Sequence, residues 1–325
     1  MTITIADAPA VFALNRGGFT EQLHYGFYYI KLGDSVLTNW HQSSKLQLPT
    51  RSLLKPWQFQ GAGPHIESPE SLLGLSSHSA QPFHLETIDR WLSELPISEN
   101  QLICPPSRPY DVASSHCLPH PENQEKKKRF HFCSGKHLYL LKCCERLGLP
   151  FEGYHLPDHP IQSQIRSFLE EKIGKESQWV TDSCGLPSLV ASIETQANLW
   201  AEFGEDTSSA SKKLRHYWGK YPQLTGGFDR LDTEIMLYSE GRLLAKEGAD
   251  GLLAIQTNGN TEVKHATVLI KSNHGLRKEN LGLILNLILT RYRDRLPQAF
   301  EGLHARIGST VPQWIGAGHS IDYLQ

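Results

Sequence analysis

Residues 242–271 read RLLAKEGADGLLAIQTNGNTEVKHATVLIK, and this stretch decides the fold. Its apolar runs are short, and they are broken at Asp250-Gly251 and at Asn258-Gly259-Asn260. Such pairs supply the positive φ that tight turns need, so the stretch predicts strands joined by turns. The same signal recurs near the N-terminus. QLHYGFYYIKLGDSVL, at 22–37, alternates apolar and polar residues around Gly33-Asp34, which predicts a hairpin. Between these ends the periodicity is helical, at 84–95, at 136–147, at 160–174 behind Pro160, and over the apolar stretch 189–202. A further helix is expected at 279–296, and the Pro-, Ser- and charge-rich segment 104–129 reads as a loop. Strands from both chain ends with helices between them predict an α+β fold, a mostly antiparallel sheet covered by helices.

The chain has 325 residues, which suits one domain over 1–325 with a helical subdomain around 60–220. Its formal net charge of −2 gives no sign of a nucleic-acid partner. The run Lys126-Lys127-Lys128-Arg129 lacks interleaved aromatics and reads as a solvated loop. The most apolar segment, LGLILNLIL at 281–289, is far too short to span a bilayer, so no membrane role is expected. The N-terminus has no basic region ahead of an apolar stretch, so the expected location is the cytoplasm. There the six cysteines (Cys104, Cys117, Cys133, Cys143, Cys144 and Cys184) should be free thiols or metal ligands rather than disulfides.

RFHFCSGKHLYLLKCC, at 129–144, is dense in chemistry. A phosphate loop would need glycine where Phe130 stands and a hydroxyl where His137 stands, so that reading fails. Ser52-Leu-Leu-Lys55 puts a hydroxyl and an amine on one side of a helical turn, with Thr50 as a candidate N-cap. Pro56 should keep that turn short or distorted at Lys55. Serine becomes a nucleophile only when a base takes its proton, and lysine serves only when it is neutral. Taken alone, the pattern is better read as a helix start with a snorkelling lysine. Ser76-Ser77-His78-Ser79, Thr181-Asp182-Ser183-Cys184-Gly185 and Lys246-Glu247-Gly248-Ala249-Asp250-Gly251 would each pass alone as turns.

Together, and in this order, RSLLK, SHS, CSGKH, DSCG and KEGADG resemble the Rhizobium etli-type L-asparaginases, the asparaginase II or class 3 family. His24-Tyr25-Gly26, His159-Pro160 with Gln162, and Gly226-Gly227 before Asp232 add to the likeness, which extends roughly to residue 290. The resemblance implies a homodimeric amidohydrolase that converts L-asparagine to L-aspartate and ammonia, with a fold like that of serine β-lactamases and glutaminases. It implies Ser52–Lys55 and Ser77–Lys136 as catalytic pairs. Cys133, Lys136 and Cys184 would surround a zinc ion, and Arg51, Asp182, His137 and Asp250 would contact substrate. Lys55 and Lys136, if close, would depress each other's pKa and leave one neutral as base.

The chain departs from the family at Ala80-Gln81, where Gly-Glu is usual, and at Phe132, Leu138-Tyr139, Ser183, Pro105 and Ser107. The loss of glycine and carboxylate beside Ser77 motivates a second expectation, a homologue that binds asparagine and zinc without turnover. A third is a serine amidohydrolase for another amide such as glutamine; the absence of K-T-G argues against a lactam.

Overall fold

The structure is a computed structural model, and it describes residues 3–110, 126–175, 177–228, 230–275, 278–316 and 318–324. The strands are β1 (Ala10–Arg16), β2 (Phe19–Leu32), β3 (Ser35–Asn39), β4 (Gln47–Pro49), β5 (Gln178–Thr181), β6 (Pro187–Ser192), β7 (Leu243–Gly248), β8 (Leu252–Thr257), β9 (Ala266–Ser272) and β10 (His319–Tyr323). The helices are α1 (Lys55–Gly61), α2 (Pro82–Glu94), α3 (Ser134–Leu147), α4 (Pro160–Ile173), α5 (Ile193–Glu205), α6 (Ser209–Lys220), α7 (Leu231–Tyr238), α8 (Lys278–Arg291) and α9 (Glu301–Ile315). No helix among the described residues is long and apolar enough to cross a membrane.

The chain forms two compact units. The first comprises Met1–Leu53, Ala191–Gly219 and Arg230–Gln325. It holds a seven-stranded sheet in the order β10-β1-β2-β9-β8-β7, with β3 also on β2. Every described ladder in it is antiparallel. The fold is therefore α+β, as the strand signals predict. The hairpin turns at Gly33, with Leu32 opposite Ser35. All residues of β7, β8 and β9 are buried, so their apolar runs serve a two-sided interior rather than a half-wet strand. Helices α5 and α8 both pack on β9.

The second unit comprises Leu54–Val190 and Lys220–Asp229. It is largely helical: α1 packs on α4, and α2 packs on α3. Strands β5 and β6 form an antiparallel pair in it, with Thr181 opposite Pro187.

Three expectations need correction. The stretch 189–202 begins as strand, because β6 runs to Ser192 before that serine caps α5 through the Thr195 amide at 3.0 Å. The last helix of the apolar segment ends at Arg291, not at 296. Pro56 does not shorten the turn behind Ser52. A 3₁₀ turn over Arg51–Leu54 instead leads into α1, which starts at Lys55. Proline in a first helical turn lacks an N–H that would have no intrahelical acceptor anyway, so it starts a helix there. Of the loop 104–129, residues 111–125, including Cys117, lie outside the described residues. Ser107 and Lys127 bridge its two described ends.

Candidate active site

The boundary between the two units falls between Leu53 and Leu54, inside RSLLK. In the first unit, Arg51 has φ 50° and Asp250 φ 63°, both in the left-handed region that favours glycine. Arg51 Nη1 donates to Asp250 Oδ2 at 2.5 Å. Backbone strain of this kind persists where the surroundings over-determine a geometry. Here it aims two charged side chains at each other across the β7–β8 turn. Ser52 is buried beside them at 8% exposure.

KEGADG spends its other charges inward. Lys246 Nζ donates to Asp232 Oδ2 at 3.0 Å, and neither side chain has any exposure. Glu247 takes Arg230 at 2.5 Å and also accepts the Leu231 amide at 2.8 Å. It thereby binds orphan N–H groups at the start of α7, where a carboxylate is also favoured by the helix dipole.

In the second unit, Lys55 is 2% exposed. Its Nζ donates to Ser77 Oγ at 2.9 Å and to the Ser76 carbonyl, and reaches Cys133 Sγ at 3.5 Å. The segment that carries Ser77 is stitched down residue by residue. Ser77 N donates to Thr225 O at 2.8 Å, His78 N to Phe132 O at 3.1 Å, and Ser79 N to Gly226 O at 2.9 Å. His78 Nε2 meets Ser134 Oγ at 2.8 Å, which joins SHS to CSGKH directly. Gly135 explains its place in that motif. A Cβ there would lie 2.5 Å from Leu73 Cγ and 2.7 Å from Leu73 O, so α3 approaches the segment ahead of Ser76 as closely as only glycine allows.

Cys133 and Cys184 are both buried free thiols, and each acts on the other's titration. That mutual interaction is the largest influence on each. It lowers the Cys133 thiol to about 6, where Lys55 and Lys136 also act, and raises Cys184 to about 12. Lys136, at 5% exposure, adds positive charge to both. His137 is fully buried; its Nδ1 bonds Tyr154 Oη at 2.6 Å, and burial lowers its pKa. Its Nε2 has no hydrogen-bond partner of ordinary geometry among the described residues, and Cys184, Lys136 and His131 are the charged or polar groups acting on it. Asp182 opens the DSCG turn, where Gly185 N donates to Asp182 O at 2.8 Å, and its own carboxylate accepts the Ser183 amide at 2.7 Å.

The Cys133 and Cys184 sulfurs are donors of the kind zinc takes, and His137 Nε2 is left without a hydrogen-bond partner among the described residues; the Lys136 amine joins this set only by the family resemblance. Among the described residues, no group of three or more His, Cys, Asp or Glu side chains is placed to hold a metal ion. Cys143 and Cys144 are buried on α3, and burial raises both thiols.

The geometry brings Lys55, Ser77, Cys133, Cys184, Lys136 and His137 together in one unit, and Arg51 with Asp250 in the other. A model of the family L-asparaginase II matches residues 12–318. The chain belongs to that family. It is an enzyme, an amidohydrolase of L-asparagine. No curated protein gave a significant match to it. The family match runs past residue 290, so the C-terminal helix α9 belongs to the asparaginase II domain.

Several residues around the asparaginase site escaped the sequence. Tyr154 belongs to no motif and nothing local marks it; Thr225 adjoins Gly226-Gly227 but carries no signal of its own. Cys104, whose thiol burial and the Cys133 and Cys184 charges push up, is distinguishable only as one more cysteine. Gln81 answers its own departure. Its Oε1 accepts the Phe228 amide at 2.9 Å, so an acceptor stands where the family usually has a carboxylate.

Proposed function

We propose that this asparaginase works by covalent Ser-Lys catalysis with Lys55 as the base. The observation that carries this is the 2.9 Å bond from Lys55 Nζ to Ser77 Oγ at a lysine almost wholly out of water. Ser52, three residues before Lys55 in the chain, is the nucleophile. Its Oγ bonds to the side-chain amide carbon of L-asparagine as its proton passes to neutral Lys55. The carbonyl oxygen takes the electron pair, then returns it as the C–N bond breaks. The lysine proton leaves on the nitrogen as ammonia. Water next attacks the β-aspartyl ester, Lys55 takes the water's proton, and aspartate departs as Ser52 is reprotonated. Ser77 and Lys136 relay protons and orient the serine. Arg51, held by Asp250, takes the substrate's α-carboxylate, and Asp182 takes its α-ammonium.

Cys133, Lys136 and Cys184 are the residues that would hold zinc. Bound there, the ion would keep both sulfurs as thiolates and the Lys136 amine neutral. We further propose a homodimer, in keeping with the family resemblance; sedimentation of the purified chain tests this.

The same Lys55–Ser77 bond favours one competing assignment, with Ser77 itself acylated. Rapid quenching with L-asparagine followed by peptide mass mapping separates the two. A β-aspartyl group on Ser52 supports the assignment made here, one on Ser77 reverses the serines, and none in any quench refutes the covalent route.

A further inference from the structure

Away from the candidate site, the second unit contains a surface cavity of about 330 Å³. Trp91, Tyr139 and Cys143 contribute buried walls, and charged side chains of both signs surround them. Arg90 and Glu94 come from α2, Lys142, Glu145 and Arg146 from α3, and Glu67 from the segment between α1 and α2. None of the catalytic or zinc-site residues lines it. It lies along the later turns of α3, whereas Cys133, Lys136 and His137 cluster at that helix's start.

The cavity has the size of a single small metabolite, at the low end of the ~300–1,000 Å³ of ligand pockets. Its lining selects the chemistry. Three cations face three anions, so a net anion or net cation would be repelled by half of the rim. The aromatic surface is already used this way internally, since Lys142 Nζ stands 5.6 Å from the Trp91 ring centre. Glu94 is committed to Lys142 at 2.5 Å. Arg90 reaches Glu94 only at 4.0 Å, and Glu145 makes no ion pair among the described residues. One cation and one anion of the rim therefore remain weakly engaged, beside an aromatic wall.

We propose that this cavity binds a free α-amino acid with an apolar side chain. Its carboxylate pairs with Arg90, its ammonium with Glu145, and its side chain lies on Trp91 and Tyr139. This second small-molecule site is independent of the hydrolytic reading.

Titration calorimetry of the full chain with L-phenylalanine tests it. Saturable binding is expected, retained in Ser52→Ala and weakened at least about tenfold in Arg90→Gln and in Glu145→Gln. 3-Phenylpropionate and phenethylamine, each lacking one of the two charges, should bind at least about tenfold more weakly. No saturable binding, binding unchanged in both charge variants, equal binding of the singly charged analogues, or loss in Ser52→Ala would each overturn the proposal.

Discussion

Lys55 Nζ donates to Ser77 Oγ at 2.9 Å, and the two side chains come from separate motifs 22 residues apart in sequence. The lysine is surrounded by the Ser76 carbonyl, the Ser77 hydroxyl and the Cys133 sulfur. A buried amine so placed can pass a proton along Ser77. Ser77→Ala removes that step while leaving Ser52 and Lys55, and kcat for L-asparagine should fall about 10²- to 10⁴-fold. A steady-state ammonia assay checks this; a variant within threefold of the parent would remove Ser77 from the proton path.

Gly135 is fixed by contact rather than by backbone angle. Gly135→Ala puts a methyl group 2.7 Å from the Leu73 carbonyl, which is backbone and cannot swing away. The expected loss is about 1–3 kcal/mol, the usual cost of overpacking. Urea denaturation measures it, and an unchanged midpoint would contradict the close approach of α3.

Ala80 sits at φ 58° in the segment after Ser77, where the family usually has glycine. A left-handed residue with a Cβ costs about 1–2 kcal/mol. Restoring the glycine with Ala80→Gly should therefore stabilise the fold by about 1 kcal/mol, after the glycine's greater freedom in the unfolded chain is counted. A fall in the urea midpoint would show that the alanine methyl packs more favourably than its backbone is strained.

Asp232 supplies the acid sensitivity. Burial pushes its carboxyl up, but Lys246, Arg230 and the Glu247 amide outweigh that and hold it below the usual carboxylate range. A depressed folded pKa means stability that is present above the unfolded value, about 3.9, and is lost as pH falls below it. Asp232→Asn leaves Lys246 charged and buried, which should cost about 3–5 kcal/mol at pH 7. Its unfolding free energy should vary less than the parent's between about pH 5 and pH 3. Equal slopes in the two proteins would contradict the assignment.

Much of this was legible before any coordinates. The turns at Gly33 and Asp250-Gly251 carry their own chemistry, so the antiparallel sheet could be read from them. The start of α1 was misread because a proline signals a break or a beginning depending on which side the chain is helical. The change from strand to helix at Ser192 was hidden because the apolar run of β6 leads directly into the apolar face of α5. The candidate residues were legible as motifs, but their partners were not. Nothing in CSGKH announces that Ser134 will meet His78, 56 residues earlier, or that Lys55 will reach Cys133. Those pairings exist only once the helices have packed.

The zinc assignment predicts one metal per chain in protein purified with zinc present. Cys133→Ser and Cys184→Ser should each lower the bound zinc at least about tenfold, and Cys143→Ser should leave it unchanged. Elemental analysis after gel filtration reads this directly. Full zinc content in both the Cys133 and Cys184 variants would place the metal elsewhere.

The proposed mechanism turns on Lys55 as the base. The most direct measurement is ammonia release from L-asparagine by the parent protein and by Lys55→Met, which keeps the side-chain length and removes the amine. Ammonia and aspartate are expected in equal amounts from the parent, and a rate at least about 100-fold lower in the variant with its fold intact by circular dichroism. No release from the zinc-loaded parent, or equal rates in the two proteins, would contradict it.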